Sequence, residues 1–138
     1  MKDHRVAWIA TLVVVVHAFI NVGHAVAHQN LGIEMAEWQN AFILIVLGFT
    51  PTLAAVLLWT AYARLAVQLL AASMVGAFVF GTYYHFIAIS ADHVAHLPDG
   101  DLQGLFRSTA VSLPISQLLG VVVALWGFKR IRKTRLAA

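Results

Sequence analysis

Four long apolar stretches dominate this sequence, and each is long enough to cross a lipid bilayer as a helix. A membrane-spanning helix needs about 20 mostly apolar residues, because every backbone group must be hydrogen-bonded within the segment. The four predicted spans cover residues 6–28, 38–59, 65–89 and 109–128. Hydrophobic residues make up 61% of the 138 residues and charged residues only 11%, which excludes an ordinary soluble domain.

The connections between these spans are short, so successive helices are expected to pack antiparallel. The sequence therefore predicts an all-α integral membrane protein, with residues 1–138 forming a single domain built as an antiparallel bundle of four transmembrane helices. The first and third spans share a spacing of polar residues, and the second and fourth contain Pro51 and Pro114. This repetition suggests a tandem of two helix hairpins.

The positions of Lys and Arg predict the orientation, because cytoplasmic loops carry the excess of these residues. One side has Lys2, Arg5, Arg64 and the basic tail 129–138, whereas the other has Arg107 and five acids, which are Glu34, Glu37, Asp92, Asp99 and Asp101. Both termini are therefore predicted to be cytoplasmic in an inner (plasma) membrane. The tail is expected to bind anionic lipid at about 1 kcal/mol per cation. It is too short, and lacks the aromatic residues, for binding nucleic acid.

The first span also has features of a secretory signal peptide. Lys2 and Arg5 precede an apolar run that ends in Ala25-Val26-Ala27, a pattern of small residues typical of a cleavage site. The apolar run is longer than the core of a typical signal peptide. We therefore expect the segment to be retained as a membrane helix.

Ionisable residues inside membrane spans are rare, costly and commonly functional. The first span contains His17, Asn21, His24 and His28. At 100° per residue, steps of seven and eleven residues deviate by about 20° from whole turns, so the three histidines share one narrow stripe.

The same spacing connects His85, Asp92 and His96 at the end of the third span, which predicts a second, equally narrow stripe. A rise of about 1.5 Å per residue, counted from Arg5 and from Arg64, places His85 level with His24 and His28 near the outer membrane interface. His17 is expected to lie deeper in the membrane.

The leading hypothesis is a metal site. Because the chain has no cysteine, the ligands must be nitrogen and oxygen atoms, and Zn, Fe or Cu suits such a set. The predicted ligands are His24, His28, His85, Asp92 and His96, for one ion or two. Glu34 and Glu37 would serve as acid or base in a metal-dependent oxidoreductase or hydrolase acting on a lipid-like substrate. Alternatively, the protein binds and transfers a metal ion, with His17 as the next ligand inward.

Three other interpretations stay open at this point. A b-type cytochrome would bind haem b through His85 and either His24 or His28, and would exchange electrons with a quinone. In that case His17 is the cofactor-binding candidate for a second haem, which is harder to fit because the eleven residues between His17 and His28 give only about 16 Å. A proton or ion transporter would use His17, Asn21 and His24 as a relay. A purely structural role would satisfy the histidines with hydrogen bonds inside the bundle.

Overall fold

The computed structural model describes residues 4–136, and the side chains of residues 4–132; this part of the chain is helical and contains no strand. Its long helices are α1 (His4–Asn30), α2 (Glu37–Leu57), α3 (Ala63–Ile87) and α4 (Gln103–Leu136). Each is long and apolar enough to span a membrane. The prediction of an all-helical chain with four such helices is confirmed. The described part of the basic tail continues α4 as helix.

The helices contact one another in a ring. α4 packs against α1 and α3, α2 packs against α3, and the last part of α2 packs against α1. Helix α1 runs opposite to α4, because His17 pairs with Ser116 and His24 with Thr109. The first turn of α1, the α2–α3 connection and the later part of α4 therefore meet at one end of the molecule, where small and branched side chains form the larger apolar core.

Two glycines let α4 approach its neighbours closely at that end. A Cβ atom on Gly127 would lie 2.7 Å from Cγ1 of Val6, and one on Gly120 would lie 2.7 Å from Cγ of Met74. Small residues at helix contacts allow this close packing, which supplies much of the attraction between helices in a membrane. The opposite end has a smaller apolar cluster and contains His24, His28 and His85.

Helix α2 is π-helical from Ile43 to Phe49, immediately before Pro51. In this register the Thr50 N–H donates to Ile45 O, so the next donor in sequence would be the N–H that Pro51 lacks. The carbonyl of Val46 is left without that partner, and Ser73 Oγ on α3 donates to it at 2.9 Å. A wide helical turn is thus stabilised by a side chain of the neighbouring helix.

Helix α3 also ends in a π-helical turn, Tyr83–Ile87, and does not continue to residue 96. The backbone turns at Ala88, and the chain folds back so that Val94 N–H donates to His85 O at 3.0 Å. The expectation that His85, Asp92 and His96 lie on one helical stripe is therefore wrong. Asp92 still approaches His85, but through this chain reversal.

Candidate metal centre

His24 is held in one orientation by Thr109 of α4. The Thr109 hydroxyl donates its single proton to the carbonyls of Leu105 and Phe106, at 2.7 and 3.0 Å. With its proton on these carbonyls, the hydroxyl is assigned as the acceptor of a hydrogen bond from His24 Nδ1, which lies 2.8 Å away. With the proton on Nδ1, the lone pair of His24 is on Nε2, which is buried and has no hydrogen-bond partner.

Asp92 lies between the two other histidines of this end of the molecule. His85 Nδ1 is 3.2 Å from the backbone oxygen of Asp92 and 3.3 Å from its Oδ1, and neither oxygen has a proton to give when the carboxyl is ionised. His28 Nε2 is 2.9 Å from the same Oδ1. Both histidines therefore direct an N–H towards Asp92, and each keeps a lone pair on its other ring nitrogen. His28 Nδ1 is buried without a partner, as is Asp92 Oδ2.

The charge of Asp92 is maintained by these neighbours. Burial alone would raise the pKa of the carboxyl, but the hydrogen bonds from His28 and His85, together with the positive charge of these rings at the low pH where the carboxyl titrates, outweigh it and hold the pKa well below its usual range. Asp92 is thus a carboxylate at neutral pH.

His24, His85 and Asp92 each offer one ligand atom, and these atoms lie within 4.8 Å of one another. Such a buried group could hold a metal ion. The ring centres of His24 and His85 are 4.7 Å apart, and the fully buried Phe106 contacts both rings from the apolar side. The group therefore consists of two imidazoles and one carboxylate on an apolar backing.

A cavity of about 490 Å³ adjoins this group and extends between the four helices. Its polar lining includes His24, His28, His85 and Asp92, and Asn21 and Gln117 line its inner part, towards the opposite end of the molecule. The rest of the wall is mostly apolar and includes Ala25, Ile43, Leu47 and Leu113. This volume is in the range of small-molecule sites.

His17 differs from the other buried histidines because both of its ring nitrogens have partners. Ser116 Oγ donates to Leu113 O and accepts from His17 Nδ1 at 2.9 Å. Asn21 Nδ2 donates to His17 Nε2 at 2.8 Å. No lone pair of His17 is left for a metal or haem iron in this arrangement, so its geometry is that of a structural histidine.

The remaining predicted residues lie away from the metal-binding group. Glu34 is exposed but lines the cavity, whereas Glu37 is exposed in the first turn of α2 and is not part of the cavity lining. His96 is exposed, and its Nδ1 lies 3.2 Å from Nδ1 of His93. The structure therefore brings together four of the predicted ligands, namely His24, His28, His85 and Asp92.

Helix α4 contributes polar residues that the sequence-based reasoning missed. Thr109 and Ser116 orient His24 and His17, and Gln117 faces the inner end of the cavity. The available signal was a seven-residue separation of two hydroxyls inside an apolar span, equal to the separation of His17 and His24.

No protein family, no curated protein and no solved structure matches this chain. The fold and the geometry of the metal-binding group are therefore the basis for a functional assignment.

Proposed function

We propose that this protein is an integral membrane metalloprotein in which His24, His85 and Asp92 bind one transition-metal ion. The ion would act on a lipid-like molecule held in the adjoining cavity. The observation that carries the proposal is the buried, partner-free Nε2 lone pair of His24, which is directed by Thr109 and lies beside a second histidine and a carboxylate.

The ligand set indicates the class of metal. Two neutral imidazoles and one carboxylate are typical of non-haem Fe(II) sites, and three nitrogen and oxygen ligands with an open position are typical of catalytic Zn. Copper also accepts imidazole ligands. Such an ion would polarise a substrate oxygen or activate water, and Glu34 at the cavity wall is the candidate acid or base.

His28 is assigned a supporting role. Its Nε2 contacts the Asp92 oxygen that also faces His85, so it fixes the carboxylate and balances its charge. Groups that orient metal ligands in this way typically affect metal affinity 10- to 100-fold. The roles of His96 as a metal ligand and of Glu37 as an acid or base stay predictions.

The spacing of the rings favours a bare ion over haem b. Two Fe–N bonds of about 2 Å, with roughly 1 Å more from each nitrogen to its ring centre, place the ring centres of a bis-histidine haem about 6 Å apart. His24 and His85 are closer, at 4.7 Å. His28 and His85 are 6.2 Å apart, but the carboxylate of Asp92 contacts both rings.

The same proposal includes an inner (plasma) membrane location with four transmembrane helices. The metal-binding group would lie near the extracytoplasmic face, and both termini would be cytoplasmic. Two features support this location and orientation. Four helices are apolar and long enough to span a membrane, and most Lys and Arg residues lie at the end of the molecule opposite to His24, His28 and His85. Anionic lipid headgroups are the proposed partners of the basic tail.

The test is the metal content and absorption spectrum of the purified full chain. We expect about one transition-metal ion per chain and no Soret band. Iron or copper would assign an oxidoreductase, and zinc would assign a hydrolase or a metal-transfer protein. His24→Ala and His85→Ala should each lose most of the metal, because each removes one of three ligands.

His17→Ala is the matched control, since it removes a histidine from the same helix with the same kind of hydroxyl partner. It should retain the metal. Full occupancy in both His24→Ala and His85→Ala would contradict the metal site. A Soret band that disappears in those two variants would assign haem instead. Circular dichroism of each variant checks that it is folded.

A further inference from the structure

Gln117 is a buried side chain whose polar atoms have no partner in the described part of the chain. Its exposed fraction is 1%, and neither Nε2 nor Oε1 forms a hydrogen bond. A buried amide without partners is strongly unfavourable, and most buried polar groups in proteins are paired. Because Gln117 lines the cavity, rotation of its buried amide towards the cavity would let a molecule bound there supply both partners.

Gln117 and the metal-binding group lie at different levels along α4. Thr109, the partner of His24, precedes Gln117 by eight residues on α4, which corresponds to about 12 Å along the helix. Apolar side chains of Ile43, Leu47 and Leu113 line the space between. Apolar side chains of the cavity wall therefore separate Gln117 from the metal-binding group.

The chemistry of the inner end specifies a neutral ligand group. The carboxylates in the lining are Glu34 and Asp92, and Asp92 belongs to the metal end, whereas Asn21 and Gln117 at the inner end are uncharged. A hydroxyl can accept from Gln117 Nε2 and donate to Oε1 at the same time. A quinone carbonyl can only accept, and it would leave Oε1 unpaired.

A second, apolar cleft provides a route into the cavity from the side. It has a volume of about 280 Å³, lies between α1 and α2, and includes exposed Val22 and Leu44. It shares four lining residues with the inner part of the main cavity, which are Asn21, Ala25, Ile43 and Leu47. An apolar chain that lies against these helices in a bilayer would reach the cavity without crossing water.

We propose that the substrate is a neutral amphiphile whose metal-bound group and hydroxyl group are separated by an apolar segment, and that Gln117 is the residue that recognises this hydroxyl. The inference rests on the proposed metal function and adds the class of substrate. Gln117 would thus determine substrate specificity, and the metal ion would determine which end of the substrate reacts.

The test uses two hydroxamates of equal length with the metal-loaded full chain, decanohydroxamate and 10-hydroxydecanohydroxamate. The hydroxamate group binds the metal, and the ten-carbon chain reaches the level of Gln117. We expect the hydroxyl-terminated probe to bind at least tenfold more tightly. Burying a hydroxyl in an apolar cavity would otherwise weaken binding, so this preference is specific to a paired hydroxyl.

Gln117→Met and Gln117→Leu should abolish the preference and leave metal content and acetohydroxamate affinity unchanged. Gln68→Leu, at an exposed position on α3, is the control and should keep the preference. Equal binding of the two probes by the unmodified protein, or a preference that survives in both Gln117 variants, would overturn the inference.

A failure of the metal site would be recognised separately, because acetohydroxamate would then not bind at all. In that case 1,10-decanediol and 1-decanol are compared on the metal-free protein. A preference for the diol that depends on Gln117 supports recognition of the hydroxyl, and its absence contradicts it.

Discussion

Two histidine layers in this protein share one construction and differ chiefly in the residue that follows each histidine by four positions. His17 and His24 are seven residues apart on α1, and each gives its Nδ1 proton to a hydroxyl on α4. Four residues after His17 stands Asn21, which caps the second nitrogen; four residues after His24 stands His28, which pairs with Asp92 instead. The first layer is closed by hydrogen bonds, and the second keeps a lone pair free.

This difference predicts unequal effects for the two hydroxyl residues. Thr109→Val should lower metal affinity 10- to 100-fold, because His24 would lose the acceptor that fixes its tautomer and orientation. Ser116→Ala should leave metal affinity unchanged and cost about 1 kcal/mol of stability through the lost hydrogen bond to His17. Chelator competition and thermal unfolding in detergent measure the two quantities.

Thr109→Ser serves as the conservative control for this prediction and should retain near-normal affinity, since the hydroxyl is kept. Equal metal loss in Thr109→Val and Ser116→Ala would mean that both act through general packing of α4. That result would remove the argument that Thr109 directs the lone pair of His24.

At the scale of helices, the sequence could predict that His24, His28 and His85 lie at one level and face one another, but it could not predict where α3 ends. Counting residues from Arg5 and Arg64 placed His24, His28 and His85 at one level, and their rings are in contact. The helical periodicity continued past Ile87, yet the backbone reverses there because Val94 bonds back to His85. The hydrogen bond between Val94 and His85 forms outside the regular helix, so the periodicity of helical residues does not predict it.

The sequence could not predict which residues and spaces the polar side chains of α4 face, for a related reason. The rotation of α4 about its axis decides whether Thr109 and Gln117 face the cavity or the lipid, and an apolar span without a strong polar face does not define that rotation. The sequence could predict that Pro51 leaves one carbonyl of α2 without an N–H donor. It could not predict that Ser73 supplies the missing donor, because this depends on the contact between α2 and α3.

Ser73 and Pro51 should be energetically coupled. Ser73→Ala alone should destabilise the protein by about 1 kcal/mol, because the Val46 carbonyl loses its donor. In a Pro51→Ala background the same change should cost less, since the restored backbone N–H allows the helix to satisfy that carbonyl internally. A double-mutant cycle on unfolding free energies measures the coupling, expected at about 0.5–1 kcal/mol. A cost of Ser73→Ala that is the same in both backgrounds would show that Ser73 acts only through packing.

At the scale of the whole molecule, the two ends differ in packing and in charge. One end contains the tight apolar core and most of the cations, including Arg64, Lys129, Arg130 and Arg132. The other contains His24, His28 and His85, the cavity and most of the carboxylates. Dense packing at one end allows the other to hold an open polar site, because the helices are already held together by contacts such as Val6 with Gly127.

This asymmetry predicts the orientation of the protein in the cell membrane. The chain has no cysteine, so single variants can be labelled cleanly, and alanines in the connections can be replaced without changing any charge. In intact cells an impermeant thiol reagent should label Ala36→Cys and Ala95→Cys, which lie at the histidine end. Ala61→Cys and Thr134→Cys should react only after the membrane is opened, because cytoplasmic connections carry the Lys and Arg excess.

In the same orientation an impermeant chelator added to intact cells should remove metal from the centre. Labelling at residues 61 and 134 with residues 36 and 95 silent would reverse the topology, and the metal would then be acquired from the cytoplasm.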